Sequence, residues 1–305
     1  MISNQLALIK RELWEHRSVY VTPIAISVVL LLGSLTGMVT ASSYGAVVDL
    51  AMIGAHELGT AEHRAILTGT LTGLSFIFVI AMWIMIVFYS LDSLYAERKN
   101  KSILFWRSLP VTDAETVVSK LLVAALVVPL FTFAVVVVTH LVSLILGSIW
   151  LNFEGGSPGL FIWQSINLFD LWTALLIFIM AVPVWLSSFI GWFLFVSAWT
   201  KRSPFLVASM PIIVVPLVER TVFGTTFLMQ AIWERTGTMP LFGVSESTFE
   251  FFELEDFALE ADSISLLALI DLGKFLSSPS MWAGLLVCGL FVTGAIYVRR
   301  FRDES

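Results

Sequence analysis

The sequence has few charged residues and a single cysteine. Asp, Glu, Lys and Arg make up 13% of its 305 residues, about half the share usual in a soluble domain, whereas hydrophobic residues make up 58%. One water-soluble core could not bury so many apolar side chains, so a soluble globular protein is excluded. Cys288 has no partner for a disulfide within the chain, and its place in an apolar run favours a structural thiol over a reactive one.

Catalytic and phosphate-binding motifs are also lacking. No G-x-x-x-x-G-K-[ST] loop occurs, because the Gly273-Lys274 pair is followed by Phe275. His56 and His63 do not form the H-E-x-x-H motif of zinc proteases, and a solvated loop is favoured there over a metal site. We therefore expect no enzymatic activity, no metal and no bound cofactor on this chain.

The apolar runs contain no carboxylate at mid-membrane depth, since Asp92, Asp170 and Glu219 all fall at predicted ends. Proton- and sodium-coupled carriers usually need such buried groups, so their absence argues against a secondary transporter. His140 is the ionisable exception. A hydrogen-bonded structural histidine is favoured there over a proton relay or a ligand.

What the sequence does contain is apolar runs long enough to cross a bilayer as helices. There are six, and they predict an all-α integral membrane protein with one transmembrane domain over residues 1–305. The predicted spans are residues 20–40, 71–91, 121–146, 171–199, 205–222 and 281–298. The first is expected to stay as an anchor, because it is longer than the core of a signal peptide and follows a polar segment.

Lys and Arg predict the orientation, because cytoplasmic loops collect them. With both termini inside, 13 of the 17 basic residues face the cytoplasm and only four face outward. The inner set is Lys10, Arg11, Arg17, Arg98, Lys99, Lys101, Arg107, Lys120, Lys201, Arg202, Arg299, Arg300 and Arg302. Residues 1–18 are predicted to form an amphipathic helix in the inner interface, with Ile2, Leu6, Ile9 and Leu13 on one face.

The segment between the second and third predicted spans, Asp92–Lys120, is here called the connector. It reads DSLYAERKNKSILFWRSLPVTDAETVVSK, with a break at Pro110 and a capping-box pattern from Thr112 to Glu115 that starts a helix. Basic residues and aromatics beside a span often only seat a helix at the lipid headgroups. Phe105, Trp106 and Leu109 on a cytoplasmic projection are better explained as a docking surface for a soluble partner.

These residues resemble the cytoplasmic connector of bacterial type-2 ABC transporter permeases, in which similar ER, LFW, SLPV and SK sequences include the coupling helix. The resemblance implies a multi-pass protein of the bacterial inner membrane and a separate ATPase subunit that binds ATP and Mg. It also implies a second permease copy or a paralogue, and no nucleic-acid partner is expected. The coupling role is carried onto Glu97, Arg98, Phe105, Trp106, Arg107, Leu109, Pro110 and Asp113.

A candidate substrate path lies in the second span, where Phe78, Met82, Met85 and Tyr89 share one helical face. Core packing produces the same stripe, and the resemblance adds weight to the path because spans two and five line it in that family. Pro211 and Pro216 in the fifth span are the hinge candidates, because each lacks an amide proton.

The predicted outer segment, residues 220–280, is too long for a turn and is expected to contain external helices. Six acids between Phe249 and Asp262 favour a solvated face over an acidic vestibule.

The leading hypothesis is an ABC transporter permease subunit that forms the path as a dimer and exports an amphipathic compound, lipid or peptide. The alternative is a non-transporting scaffold or sensor that anchors a soluble partner.

Overall fold

The computed structural model describes residues 2–44, 60–100, 111–237, 239–242 and 265–301. These residues are almost entirely helical, and their only β-structure is an isolated antiparallel bridge between Phe242 and Ile270. The helices are α1 (Ile2–Glu15), α2 (Ser18–Ser42), α3 (Thr60–Lys99), α4 (Asp113–Leu122), α5 (Val128–Phe153), α6 (Leu168–Trp185), α7 (Ser187–Trp199), α8 (Pro204–Val218), α9 (Phe227–Gly237), α10 (Leu272–Ser277) and α11 (Pro279–Phe301).

Six helical stretches in the described residues are long and apolar enough to cross a membrane, which confirms the predicted count. They are α2, α3, the combined α4 and α5, α6, α8 with the turn that follows it, and α11. Helices suit this role because they satisfy most of their backbone amides and carbonyls internally, as hydrocarbon requires. The orientation with both termini in the cytoplasm stays a prediction from the basic residues.

The second span is much longer than its apolar run. Helix α3 has 40 residues and a length of about 60 Å, twice the hydrocarbon thickness of about 30 Å. Because the apolar run ends at Leu91, the last turns of α3, with Glu97 and Arg98, are expected to lie beyond the hydrocarbon.

The predicted fourth span, residues 171–199, is divided in the structure. Helix α6 ends at Trp185 and α7 begins at Ser187, with Leu186 between them outside helical geometry (φ −88°, ψ 15°). Pro183 stands near the break and has no amide to donate to the preceding turn. Apolarity continues across the break, so hydropathy alone does not reveal it.

Helix α7 packs closely against α11 at Gly191. An added Cβ at this glycine would lie 2.9 Å from the Cα of Cys288 and 3.0 Å from its carbonyl oxygen. Only a residue without a side chain permits this approach, as in other close helix pairs in membranes. The contact brings α7 and α11 into the central core, where Ile190, Leu194, Cys288 and Val292 lie together.

Helix α8 begins with Pro204 at its first turn, where a missing amide costs nothing. It continues through both hinge candidates, Pro211 and Pro216, and is followed by a π-helical turn over Glu219–Phe223. Gly224 ends this turn in the left-handed region, at φ 67°. A hinge at the two prolines remains a prediction.

Two carboxylates cap helices in the described parts of the outer segment. Asp170 of α6 accepts hydrogen bonds from the backbone amides of Leu266 (2.8 Å) and Leu267 (3.4 Å), at the start of the 3₁₀ helix Leu266–Leu269. Glu219 accepts from the amides of Phe227 and Leu228, both at 2.8 Å, at the start of α9. Each anion thus caps a helix N-terminus from a distance in the chain. The acid-rich stretch from Phe249 to Asp262 lies outside the described residues.

Replacing Glu219 by Ala should loosen α9, because two amide donors at its N-terminus lose their acceptor. We expect the amides of α9 to exchange with deuterium roughly two- to tenfold faster than in the wild type, measured by hydrogen exchange with mass spectrometry. Glu234→Ala, which removes an exposed acid from the same helix, is the control and should change the rate little. Equal exchange in both variants would contradict the capping role.

Candidate functional site: a buried charge cluster at the two ends of the connector

The predicted coupling residues divide into two groups. Glu97, Arg98 and Asp113 lie in the described part of the chain, at the two ends of the connector. The other five lie outside the described residues: Phe105, Trp106, Arg107, Leu109 and Pro110. The structure therefore describes how the connector is held and not its central part.

Glu97 stands near the end of α3 with 4% of its surface exposed. Its Oε2 accepts a hydrogen bond from Nη1 of Arg299 at 2.6 Å, and its Oε1 lies 3.0 Å from Nζ of Lys120. Arg11 of α1 forms a third ion pair with the same carboxylate. One carboxylate at the end of the second span thus joins α3 to α1, α4 and α11.

Glu12 of α1 is fully buried and faces Lys120, which is fully buried too. Nζ of Lys120 donates to both carboxylate oxygens of Glu12, at 2.8 and 2.9 Å. The hydroxyl of Tyr89 donates to Oε2 of Glu12 at 3.0 Å. Each charge has lost its hydration, and the mutual attraction offsets that cost only because the hydrogen bonds are complete.

Asp113, the first residue of α4, completes the arrangement. Its Oδ1 accepts from Nε of Arg299 at 2.8 Å. We call these six residues the junction cluster: Arg11, Glu12, Glu97, Asp113, Lys120 and Arg299. Its three carboxylates match its three cations in number, and four of the six residues, Glu12, Glu97, Lys120 and Arg299, are buried.

Arg98 turns away from the junction cluster and caps α7. Its Nη2 donates to the carbonyl oxygen of Thr200 at 2.8 Å and also to that of Ser197. The hydroxyl of Ser197 in turn accepts from the backbone amides of Leu94 (3.1 Å) and Tyr95 (3.0 Å). A cation at the C-terminus of a helix satisfies its unpaired carbonyls. Neighbouring Glu97 and Arg98 thus fasten the end of α3 on two sides.

The far end of the connector is held by the predicted capping box. The amide of Glu115 donates to Oγ1 of Thr112 at 3.1 Å, and the amide of Thr112 donates to the carboxylate of Glu115 at 2.9 Å. The helix start predicted at this position is confirmed. Gln5 of α1 also donates to the carbonyl oxygen of Glu115, at 3.3 Å, which adds a second tie between α1 and α4.

Four of the six cluster residues, Arg11, Glu12, Lys120 and Arg299, were missed as site residues by sequence reasoning. The apolar stripe of the first helix placed Glu12 on its polar face, yet Leu8 and Glu12 are buried whereas Leu6 is 63% exposed. Lys120 and Arg299 lie close to the ends of two predicted spans and were counted only as charges of the inner face. One signal in the sequence could have revealed these ion pairs. The acidic residues of α1 and of the connector are predicted to lie at the same membrane depth as these basic residues.

The four path candidates, Phe78, Met82, Met85 and Tyr89, are all buried within this chain. Three of them, from Met82 onward, belong to the main apolar core, which also contains residues of α7 and α11. This placement matches the core-packing explanation of the stripe. A role in lining a path stays a prediction.

His140 of α5 is fully buried between α3 and α6. Nε1 of Trp172 donates to its Nδ1 at 3.3 Å, so the ring proton is assigned to Nε2, which lies 3.1 Å from the hydroxyl of Ser75. Both ring nitrogens thus have partners. This is the hydrogen-bonded arrangement favoured from the sequence.

Within the described ranges, Glu12, Glu15 and His16 come close enough together to hold a metal ion. Both oxygens of Glu12 already bind Lys120, and Glu15 accepts from Nε of Arg11 at 3.0 Å. A metal would have to displace these cations, so we do not assign a metal site to this group.

His16 makes the junction sensitive to acid. Burial lowers the pKa of His16 below its ordinary value of 6.5, despite the nearby carboxylate of Glu12. Below pH 6.5 the unfolded chain takes up a proton at His16 more readily than the folded chain, so stability falls as the pH is lowered. The melting temperature should therefore drop more between pH 7.5 and pH 5.5 in the wild type than in His16→Gln. Equal drops in the two proteins would contradict this assignment.

A family model described as ABC-2 family transporter protein matches residues 65–239, more than half of the chain. The match runs from α3 through α9 and includes the connector, with Glu97, Asp113 and Lys120 of the junction cluster. No curated protein and no solved structure matches this sequence. With six membrane-spanning helices and this family match, the chain belongs to the ABC-2 transporter family and is a multi-pass transmembrane permease of an ABC transporter.

Proposed function

We propose that this permease is driven by a separate ATPase subunit that docks on the connector. The observation that carries the proposal is the junction cluster, which holds both ends of the connector and joins them to α1 and α11. A segment that transmits force from a partner subunit must be rigidly attached to the transmembrane helices. The connector leaves α3 at Lys99 and re-enters the membrane through α4, which begins at Asp113.

Force on the connector would pass into the bundle along two routes. Through Glu97, Lys120 and Asp113 it would reach α1, α4 and α11. Through Arg98 it would reach the C-terminal end of α7, which packs on α11 at Gly191. Both routes consist of buried or partly buried hydrogen-bonded contacts, and closely packed interiors transmit strain.

The partner subunit would bind ATP and Mg and perform the hydrolysis. A second copy of this chain or a paralogue would complete the path, and the cargo would be an amphipathic compound, lipid or peptide moved outward across a bacterial inner membrane. Within this proposal Phe105, Trp106, Arg107, Leu109 and Pro110 contact the ATPase. Glu97, Arg98 and Asp113 hold the connector in place, because their side chains bind residues of this chain.

The test is a double substitution of Phe105 and Trp106 by Ala in the complex purified with its ATPase. We expect the loss of ATP-dependent transport into vesicles and of the stimulation of ATPase activity by the permease. The matched control is Phe153→Ala with Phe169→Ala. These are exposed aromatic residues at the end of α5 and the start of α6, outside the connector. Unchanged stimulation in the connector variant would contradict the docking surface. Assembly with an ATPase without any ATP-dependent transport would favour the scaffold alternative.

A further inference from the structure

One face of α1 is turned away from the protein. Leu6, Lys10 and Trp14 recur every four residues and are exposed, with Leu6 at 63% and Trp14 at 71%. Arg17, three residues further on, is exposed too. The opposite face carries Leu8 and Glu12 and is buried. The sequence pattern grouped Leu6 with Ile9 and Leu13 on one interfacial face, but these two pack against the protein core whereas Leu6 is exposed.

The position of α1 relative to the membrane follows from α2. Only His16 and Arg17 separate the two helices, and α2 crosses the bilayer from Ser18. The first turns of α2 expose Val21 and Ile24, by 51% and 46%, as expected for side chains in contact with lipid. The C-terminal end of α1 therefore lies beside the start of the first span, close to the headgroups of that leaflet.

The charge on this face is positive. Lys10 and Arg17 are its ionisable residues, and Nζ of Lys10 lies 5.4 Å from the ring centre of Trp14. Of the neighbouring acids, Glu12 is buried and binds Lys120, and the exposed Glu15 is paired with Arg11. A tryptophan and leucine flanked by basic side chains suit the boundary between headgroups and acyl chains, where each cation meets lipid phosphates.

We propose that the exposed face of α1, formed by Leu6, Lys10 and Trp14, binds the anionic headgroups of the leaflet at which α2 begins, together with Arg17 at the start of α2. The opposite side of the same helix contributes Arg11 and Glu12 to the junction cluster. Lipid binding therefore stabilises the position of α1 and, with it, the junction cluster. Anionic phospholipids are thus ligands of this permease at a defined site. The inference does not depend on the identity of the cargo or on the ATPase partner.

The experiment compares the full chain in nanodiscs of phosphatidylcholine alone and in nanodiscs with about a third phosphatidylglycerol. Hydrogen exchange of residues 5–17 is the readout. We expect the anionic lipid to slow exchange in α1 of the wild type by roughly fivefold or more, and expect the effect to be lost at high salt. In Lys10→Gln with Arg17→Gln the two lipid mixtures should give equal exchange.

Lys201→Gln with Arg202→Gln is the matched control, because these two adjacent basic residues are also exposed but lie between α7 and α8. This variant should keep the full response of α1 to phosphatidylglycerol. The proposal is overturned if phosphatidylglycerol does not slow exchange in the wild type, or if the Lys10 and Arg17 variant responds as the wild type does. Protection of this face by an added ATPase subunit, without a response to phosphatidylglycerol, would likewise overturn it in favour of a protein partner.

Discussion

The Lys120→Met variant should have a free energy of unfolding about 3–5 kcal/mol below that of the wild type. Methionine has nearly the shape of lysine without its charge, so the loss is electrostatic and leaves little cavity. Glu12 would keep the hydroxyl of Tyr89 and the more distant guanidinium of Arg11, at 3.5 Å, in a site with no exposed surface. Unfolding in detergent, followed as the SDS fraction is raised, measures the change.

A control variant and a double-mutant cycle make this test specific to the ion pair. Lys10→Met removes an exposed lysine from the helix that carries Glu12 and should leave the stability in detergent almost unchanged. Glu12→Gln combined with Lys120→Met removes both charges while keeping an acceptor for Tyr89. Residues that contact each other usually show coupling of about 0.5–3 kcal/mol, so the double variant should lose less than the sum of the two single variants. Strict additivity would show that the pair does not act as a unit.

Gly191→Ala should lower the free energy of unfolding by about 1–3 kcal/mol, although alanine is the better helix former. The added methyl group would stand 2.9 Å from the Cα and 3.0 Å from the carbonyl oxygen of Cys288. These are backbone atoms and cannot rotate aside, so α7 and α11 must separate. The same detergent unfolding assay reports the change, and the amides of both helices should exchange faster.

Gly289→Ala provides the control for this substitution. Gly289 lies on α11 one residue after Cys288, and an added Cβ there would meet no atom within 4 Å. With helix propensity as the main effect, this variant should be as stable as the wild type or slightly more stable. If Gly191→Ala behaves in the same way, the close packing of α7 on α11 is not a source of stability.

The parts of this fold that follow local rules could be predicted from the sequence. Six apolar runs predicted six spans, and the spacing of Thr112 and Glu115 predicted the start of α4. Both signals depend on residues within a few turns of each other and on the thickness of the bilayer. The break at Leu186 was not predicted, because the residues on both sides of it are equally apolar.

The partners within the junction cluster could not be predicted in the same way. Glu12 meets Lys120 across 108 positions of the chain, and Glu97 meets Arg299 across 202. No periodicity links residues so far apart, and a buried carboxylate on an amphipathic helix has the same sequence pattern as a solvated one. Glu97, Arg98 and Asp113 were identified by resemblance, but only the contacts show that these side chains bind within the chain.

The length of α3 has a mechanical consequence. Near its N-terminus Nε of Arg64 donates to the carbonyl oxygen of Ser165 at 3.2 Å, and near its C-terminus Glu97 binds Lys120 and Arg299. The helix is continuous between these two anchors, so it acts as a single lever. A tilt of only about 5° about one anchor would displace the opposite end of a rod of about 60 Å by about 5 Å, close to one helical turn. A small rotation of α3 at the connector would therefore displace the opposite end of the helix by several ångströms.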